Sequence, residues 1–95
     1  MNSKQRAYLR GLCNKQDAIF QIGKNGVNDN LLKQLNDTLE VRELIKISIL
    51  ETAPEDINEA SSVIASKTNS EIVQVIGSKI CLYREGKKPK IVLPK

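Results

Sequence analysis

The chain has no histidine and no tryptophan, one phenylalanine, two tyrosines and two cysteines among its 95 residues. Each shortage removes a class of function. Without histidine no side chain has an ordinary pKa suited to proton relay near neutral pH, and none stands ready to activate a nucleophile. Cys13 and Cys81 lie too far apart to make a zinc spacing or a C-x-x-C redox pair. An enzyme is not expected, nor a metal, nor a cofactor. No apolar run approaches the roughly 20 residues of a membrane span. The N-terminus is polar from Asn2 to Arg6, unlike a signal peptide. A cytoplasmic address is the default, and a disulfide is disfavoured there. Both cysteines are therefore read as small buried apolar residues.

What is present fits one ordinary soluble domain spanning 1–95, with 40% hydrophobic and 27% charged residues. The net charge of +4 is unevenly spread. Met1 to Val27 holds five Lys/Arg against Asp17 alone, and Lys79 to Lys95 holds six against Glu85 alone. Between them, four cations face nine acids. If the fold brings its ends together, they form one cationic surface suited to a polyanion. The plainer alternative is a solvated basic surface that keeps the protein soluble.

Ser3 is placed to cap a first helix running to about Lys15. Leu9, Leu12 and Cys13 share one face of it, with Arg6 and Arg10 on one flank and Lys4 and Lys15 on the other. The like charges cost roughly 0.2–0.5 kcal/mol, and Gly11 about 1 kcal/mol relative to alanine. Either the helix holds its cations and backbone toward a partner, or packing overrides these small penalties. Ala18 to Ile22 reads as a strand. Asn28 caps a second helix whose stripe is Leu31, Leu32, Leu35 and Leu39 and which ends near Glu43. Leu44 to Leu50 is a β-branched strand. A third helix runs from about Asp56 to Thr68, and Asn69 suits the left-handed turn that ends it. Ile72 to Ile76 and Ile80 to Arg84 form a hairpin across Gly77-Ser78-Lys79, and "KIVLPK" closes the chain as a short extended segment. The predicted class is α+β, ordered α-β-α-β-α-β-β, with a four-stranded mixed sheet packed against helices and right-handed crossovers between parallel strands.

The carboxylates have ordinary readings. Glu40 and Glu43, three apart, fit an exposed helix face; Glu55, Asp56 and Glu59 open the third helix, where negative charge favours the dipole.

The chemistry concentrates in "IGKNGV", where a strand ends and a helix begins. Such a loop presents unpaired backbone N–H groups and the positive end of the helix dipole. Gly23 and Gly26 allow a sharp turn and remove side chains that would hold a phosphate away. Lys24 adds a mobile charge, and Asn25 an amide donor. The nucleotide P-loop is excluded, because no G-x4-G-K-S/T occurs. A GxxG loop also clamps nucleotides in KH domains, but there it joins two helices.

"LRGL", "IGKNGV", "VRELIKI" and "IGSKICLYR" occur in this order along nearly the whole chain, and together they resemble the CRM (chloroplast RNA splicing and ribosome maturation) domain, in a bacterial stand-alone form. The resemblance implies a fold similar to the C-terminal domain of the third bacterial translation initiation factor. It also implies RNA binding, in bacteria linked to precursors of the large ribosomal subunit. The family's loop falls on Gly23, Lys24, Asn25 and Gly26. Two departures are visible: "CNKQDAIF" lacks a proline before the first strand, and Asn69 stands where glycine is common.

The expected interface is therefore Gly23, Lys24, Asn25 and Gly26, flanked by Lys4, Arg6, Arg10 and Lys15 and by Arg84, Lys87 and Lys88. The expected partner is RNA, specifically ribosomal RNA or the pre-ribosomal large subunit, bound by a monomer with no membrane involved. With aromatics at 3%, recognition would read backbone and shape more than stacked bases. Phe20 and Tyr83 are assigned to the core. The alternative is a protein-interaction module that binds an acidic or ribosomal protein through the same basic surface.

Overall fold

A computed structural model describes all residues from Met1 to Lys95. The elements follow the predicted order: α1 (Ser3–Asn14), β1 (Phe20–Ile22), α2 (Asp29–Arg42), β2 (Leu44–Ile49), α3 (Ile57–Thr68), β3 (Glu71–Ile76) and β4 (Lys79–Tyr83). Local chemistry sets most boundaries. Asn2, not Ser3, caps α1, because its side chain accepts the Gln5 N–H at 2.8 Å while the Gln5 side chain accepts the Asn2 N–H at 3.1 Å. Only Asn2 has a glutamine three residues on, and that reciprocal pair decides the start. Asn28 caps α2 by accepting from the Leu31 N–H, and Asp56 caps α3 by accepting from the Glu59 N–H, each at 2.8 Å. Asn69 ends α3 at φ 53°, as expected of asparagine in the left-handed region.

The sheet is mixed, in the order β1-β2-β4-β3. β1 lies parallel to β2, and β4 is antiparallel to both β2 and β3. β3 thus runs in the same direction as β2 without touching it. The β2-α3-β3 crossover leaves a gap one strand wide, which β4 fills after a two-residue Gly77-Ser78 turn pairing Ile76 with Lys79.

Alternation along the strands divides the core in two. Ile45 and Ile47 of β2, Ile80 and Leu82 of β4 and Ile22 of β1 face α2 and α3, where they meet Leu35, Leu39, Ala60 and Ile64. Leu44, Cys81, Tyr83 and Val73 face the other way and are covered by Leu9 and Cys13 of α1. Ile91 and Leu93 of the closing segment pack onto this second cluster. Tyr83 is buried in the second cluster, and Phe20, half-buried, packs against the first.

The cysteine expectation is corrected. Cys13 and Cys81 are buried but joined in a disulfide, with Cα atoms 6.5 Å apart and a sequence separation of 68. The compartment rule weighs redox conditions and says nothing of where α1 crosses the sheet, and that crossing sets the two thiols side by side. No helix is long and apolar enough to cross a membrane.

Candidate nucleic-acid interface

The GxxG loop is built from the end of β1 and the cap of α2. The Gly26 N–H returns to the Gly23 carbonyl at 2.9 Å, closing a tight turn. The Gly23, Lys24 and Asn25 N–H groups donate to no other protein atom. Gln21, Gly23, Lys24, Asn25, Asn28 and Gln34 line a polar concavity of about 360 Å³ here, at the positive end of α2. Residues with unpaired backbone donors and one exposed lysine therefore line one open hollow.

The two glycines have different reasons to be glycine. Gly26 is buried at φ +66°, and a Cβ there would lie 2.8 Å from both Glu55 carboxylate oxygens and 2.9 Å from Pro54 Cγ. The fold itself demands it. Gly23 has no positive φ, and a Cβ would meet only Leu50 Cδ1, at 3.8 Å. Nothing within the protein requires glycine at 23. Glu55, which sequence patterning assigns to the start of α3, instead stands just outside that helix and accepts the Val27 N–H at 3.1 Å. It latches the far side of the loop, a role that no local pattern could reveal.

The flanking cations divide by use. Lys4, Arg10 and Lys15 are exposed on α1. Gly11 faces open space beside them, so no packing contact explains the glycine. Arg6 turns to the sheet edge, where its guanidinium donates to the Ile72 carbonyl and lies 4.0 Å from the Glu71 carboxylate. Arg84 is committed further: it donates to the Asn36 side chain (2.6 Å), the Asn36 carbonyl (2.9 Å), the Thr68 carbonyl (2.7 Å) and Glu40 (3.0 Å). Its guanidinium ties the later turns of α2 to the end of α3, a structural use that leaves few donors for a ligand. Lys87 and Lys88 are exposed. They lie beside Glu40 and Val41, near the C-terminal end of α2.

The termini do come together, with Gln5 Nε2 donating to the Pro94 carbonyl at 3.1 Å. The loop does not join them. It sits at the opposite end of α2 from Lys87 and Lys88, and 14 helical residues span roughly 21 Å.

Glu43 overturns the exposed-face reading. It is fully buried, leaves the helix at φ 67° and accepts three backbone N–H groups from the returning chain: Gly86 (2.7 Å), Lys90 (2.7 Å) and Ile91 (3.0 Å). Burial pushes its carboxyl up, but these bonds and the nearby Lys90 ammonium outweigh that and hold it below its ordinary 4.5. Burial, reinforced by Glu43 and Glu85, raises the Tyr83 phenol above its ordinary 10.0.

A mixed sheet with helices on both faces and a glycine-bracketed lysine at a helix N-terminus defines a small α+β domain with a basic glycine loop. The CRS1 / YhbY (CRM) domain model matches residues 1–84, and the chain belongs to that family. It is 44% identical over 95 residues to the Probable RNA-binding protein YqeI of Bacillus subtilis, covering 99% of each chain. It is 30% identical over 95 residues to a Haemophilus influenzae protein named RNA-binding protein, covering 100% of this chain and 96% of that one. Among solved structures it resembles that of the hypothetical protein SAV1595 from Staphylococcus aureus, with a TM-score of 0.83, 50% identity and 99% of each chain covered.

Proposed function

We propose that this protein binds RNA through the Gly23–Gly26 loop and the exposed cations of α1, and that in the cytoplasm it acts on ribosomal RNA in large-subunit precursors during assembly. The observation that carries the reading is the loop itself. Three N–H groups without a protein acceptor, and Lys24, belong to residues that line a polar hollow, and Gly23 is small for no reason internal to the fold. A phosphate needs that combination: donors, a cation and room for close approach. Membership in the CRM family and the names of the relatives support RNA as the polyanion. Tyr8 is the one exposed aromatic, which favours contacts to backbone and shape.

The test is fluorescence anisotropy with a large-subunit ribosomal RNA stem–loop across a salt series. Replacing Lys24 by alanine should lower the slope of log affinity against log salt by roughly one phosphate contact. Adding Arg10→Ala should lower it further. Unchanged slope and affinity in both variants would remove this surface from the RNA site. The ribosomal assignment is checked by crosslinking in cells and sequencing the captured RNA. Reads spread evenly over cellular RNA, with no enrichment in large-subunit precursors, would defeat it.

A further inference from the structure

α1 covers only half of the sheet face it packs on. The covered half is where β2 begins and β4 ends, around Leu44, Cys81 and Tyr83. On the same face, strand pairing sets Gln21 of β1 opposite Ser48 of β2, Ser48 opposite Lys79 of β4, and Lys79 opposite Ile76 of β3. One row thus crosses all four strands. Gln21 and Lys79 are exposed, Ile76 is 62% exposed, and Ser48, only 8% exposed, forms the floor between its longer neighbours. Lys46, two residues before Ser48 and on the same face, adds a second, half-buried cation in the next row, opposite Cys81 at the border of the covered half.

This half-face has the character of a binding surface more than of a bare sheet. No acidic residue falls in either row, and neither lysine is held by a carboxylate; the two ion pairs of the protein involve Arg6 and Arg84. Asp17 and Glu51 border the face from the connections before β1 and after β2, and Glu71 lies at the covered end beside Arg6. Gln21 also lines the concavity of the glycine loop, so the row is continuous with Lys24.

We infer that the open half-face, Gln21–Ser48–Lys79 with Lys46, is a second contact surface for the sugar-phosphate backbone of the RNA strand that leaves the glycine loop. This rests on the RNA reading of that loop. The lysines meet phosphates, while the Gln21 amide and the Ser48 hydroxyl are suited to the ribose 2′-hydroxyl, the group by which a protein distinguishes RNA from DNA. From Gln21 to Lys79 the row crosses two strand spacings, about 10 Å, so it extends the loop's reach laterally across the sheet.

The test uses the full chain and a labelled RNA stem–loop carrying a single-stranded tail, titrated across a salt series. Wild type is compared with Lys24→Ala and with the double variant Lys46→Gln/Lys79→Gln, which keeps the side-chain stems while removing charge. The double variant should lose about 1.4 from the salt slope, two single-strand contacts at ~0.7 each, with an unchanged urea midpoint. A Gln21→Ala variant should keep the slope but narrow the preference for RNA over DNA of the same sequence. If Lys24→Ala weakens binding while the double variant matches wild type, the sheet surface is wrong and the loop reading stands. If wild type shows no salt-sensitive binding, the RNA reading fails and this inference with it.

Discussion

The two ends of α2 solve the same problem in opposite ways. At its C-terminal end the returning chain presents backbone N–H groups to a carboxylate of the protein's own. Glu43 takes up the Gly86, Lys90 and Ile91 N–H groups and fixes the segment that carries Lys87 and Lys88. At its N-terminal end a similar turn of donors is only partly occupied. Glu55 takes the Val27 N–H, and the Gly23, Lys24 and Asn25 N–H groups have no protein acceptor. One end has an internal anion; the other keeps donors that no protein group takes up. The contrast shows that a glycine-bearing basic loop is not in itself a binding site. What matters is whether the fold has already spent its donors.

Removing the internal anion gives the largest expected effect. Glu43→Gln sets a side-chain NH₂ among backbone N–H groups and leaves buried donors unpaired, so unfolding free energy should fall by about 3 kcal/mol. The measurement is urea denaturation, which should show a lower midpoint. RNA affinity at the glycine loop should be retained at temperatures where the variant stays folded. Because the folded-state carboxyl is depressed below 4.5, its stabilising contribution is complete above the unfolded value and is lost as pH falls through the folded one. The wild type should therefore lose stability on acidification below about 4.5 more steeply than Glu43→Gln. A variant with the wild-type midpoint and acid profile would mean that the clamp does not hold the C-terminal segment.

Arg84→Ala comes next, at about 2 kcal/mol, from the loss of charge-assisted bonds to Asn36, Thr68 and Glu40. Arg84→Lys should recover little, because one ammonium cannot reproduce a planar fork that binds several acceptors. The salt slope of RNA binding should stay that of wild type. A lower slope with unchanged stability would put Arg84 among the RNA contacts and erase the distinction drawn here between committed and free cations.

How much of this was legible in sequence follows from where each cause lies. The GxxG loop, the Asn28 cap, the Asn69 stop and the alternation in Leu44–Ile49 depend on neighbours within a few residues, and the pattern reads them directly. Glu43 depends on partners 43 to 48 positions away, and Arg84 on partners 16 to 48 positions away. Helical periodicity carries Glu43 onto a solvated face, whereas the chain turns out of the helix at that residue and points the carboxylate inward. Charge counting sees Arg84 as one more cation in a basic tail. The strand order was hidden for the same reason: the hairpin predicts that β4 pairs with β3, but only packing determines that it also pairs with β2. Proximity of the ends was a conditional expectation, and the structure meets it. The glycine loop stays apart because α2 holds it at arm's length from the C-terminal lysines.

Within the open end, Gly26→Ala is expected to destabilise by about 1–2 kcal/mol, because φ +66° is strained for alanine and its Cβ would crowd Glu55 and Pro54. It should weaken RNA binding only by loosening the loop. Gly23→Ala is the cleaner probe and the smallest perturbation of the fold. Its φ is ordinary and its new methyl would rest 3.8 Å from Leu50 Cδ1, so the unfolding free energy from urea denaturation should change by no more than ~0.5 kcal/mol in either direction. The same methyl would be added at a residue that lines the hollow, where a phosphate would need to come close. RNA affinity should therefore fall several-fold in anisotropy titrations while stability holds. If affinity is unchanged, the hollow at the head of α2 is not where the backbone docks, and the contrast between the two ends of the helix would be one of solvation alone. If stability falls as far as in Gly26→Ala, both glycines serve the turn, and Gly23 can no longer be assigned to ligand approach.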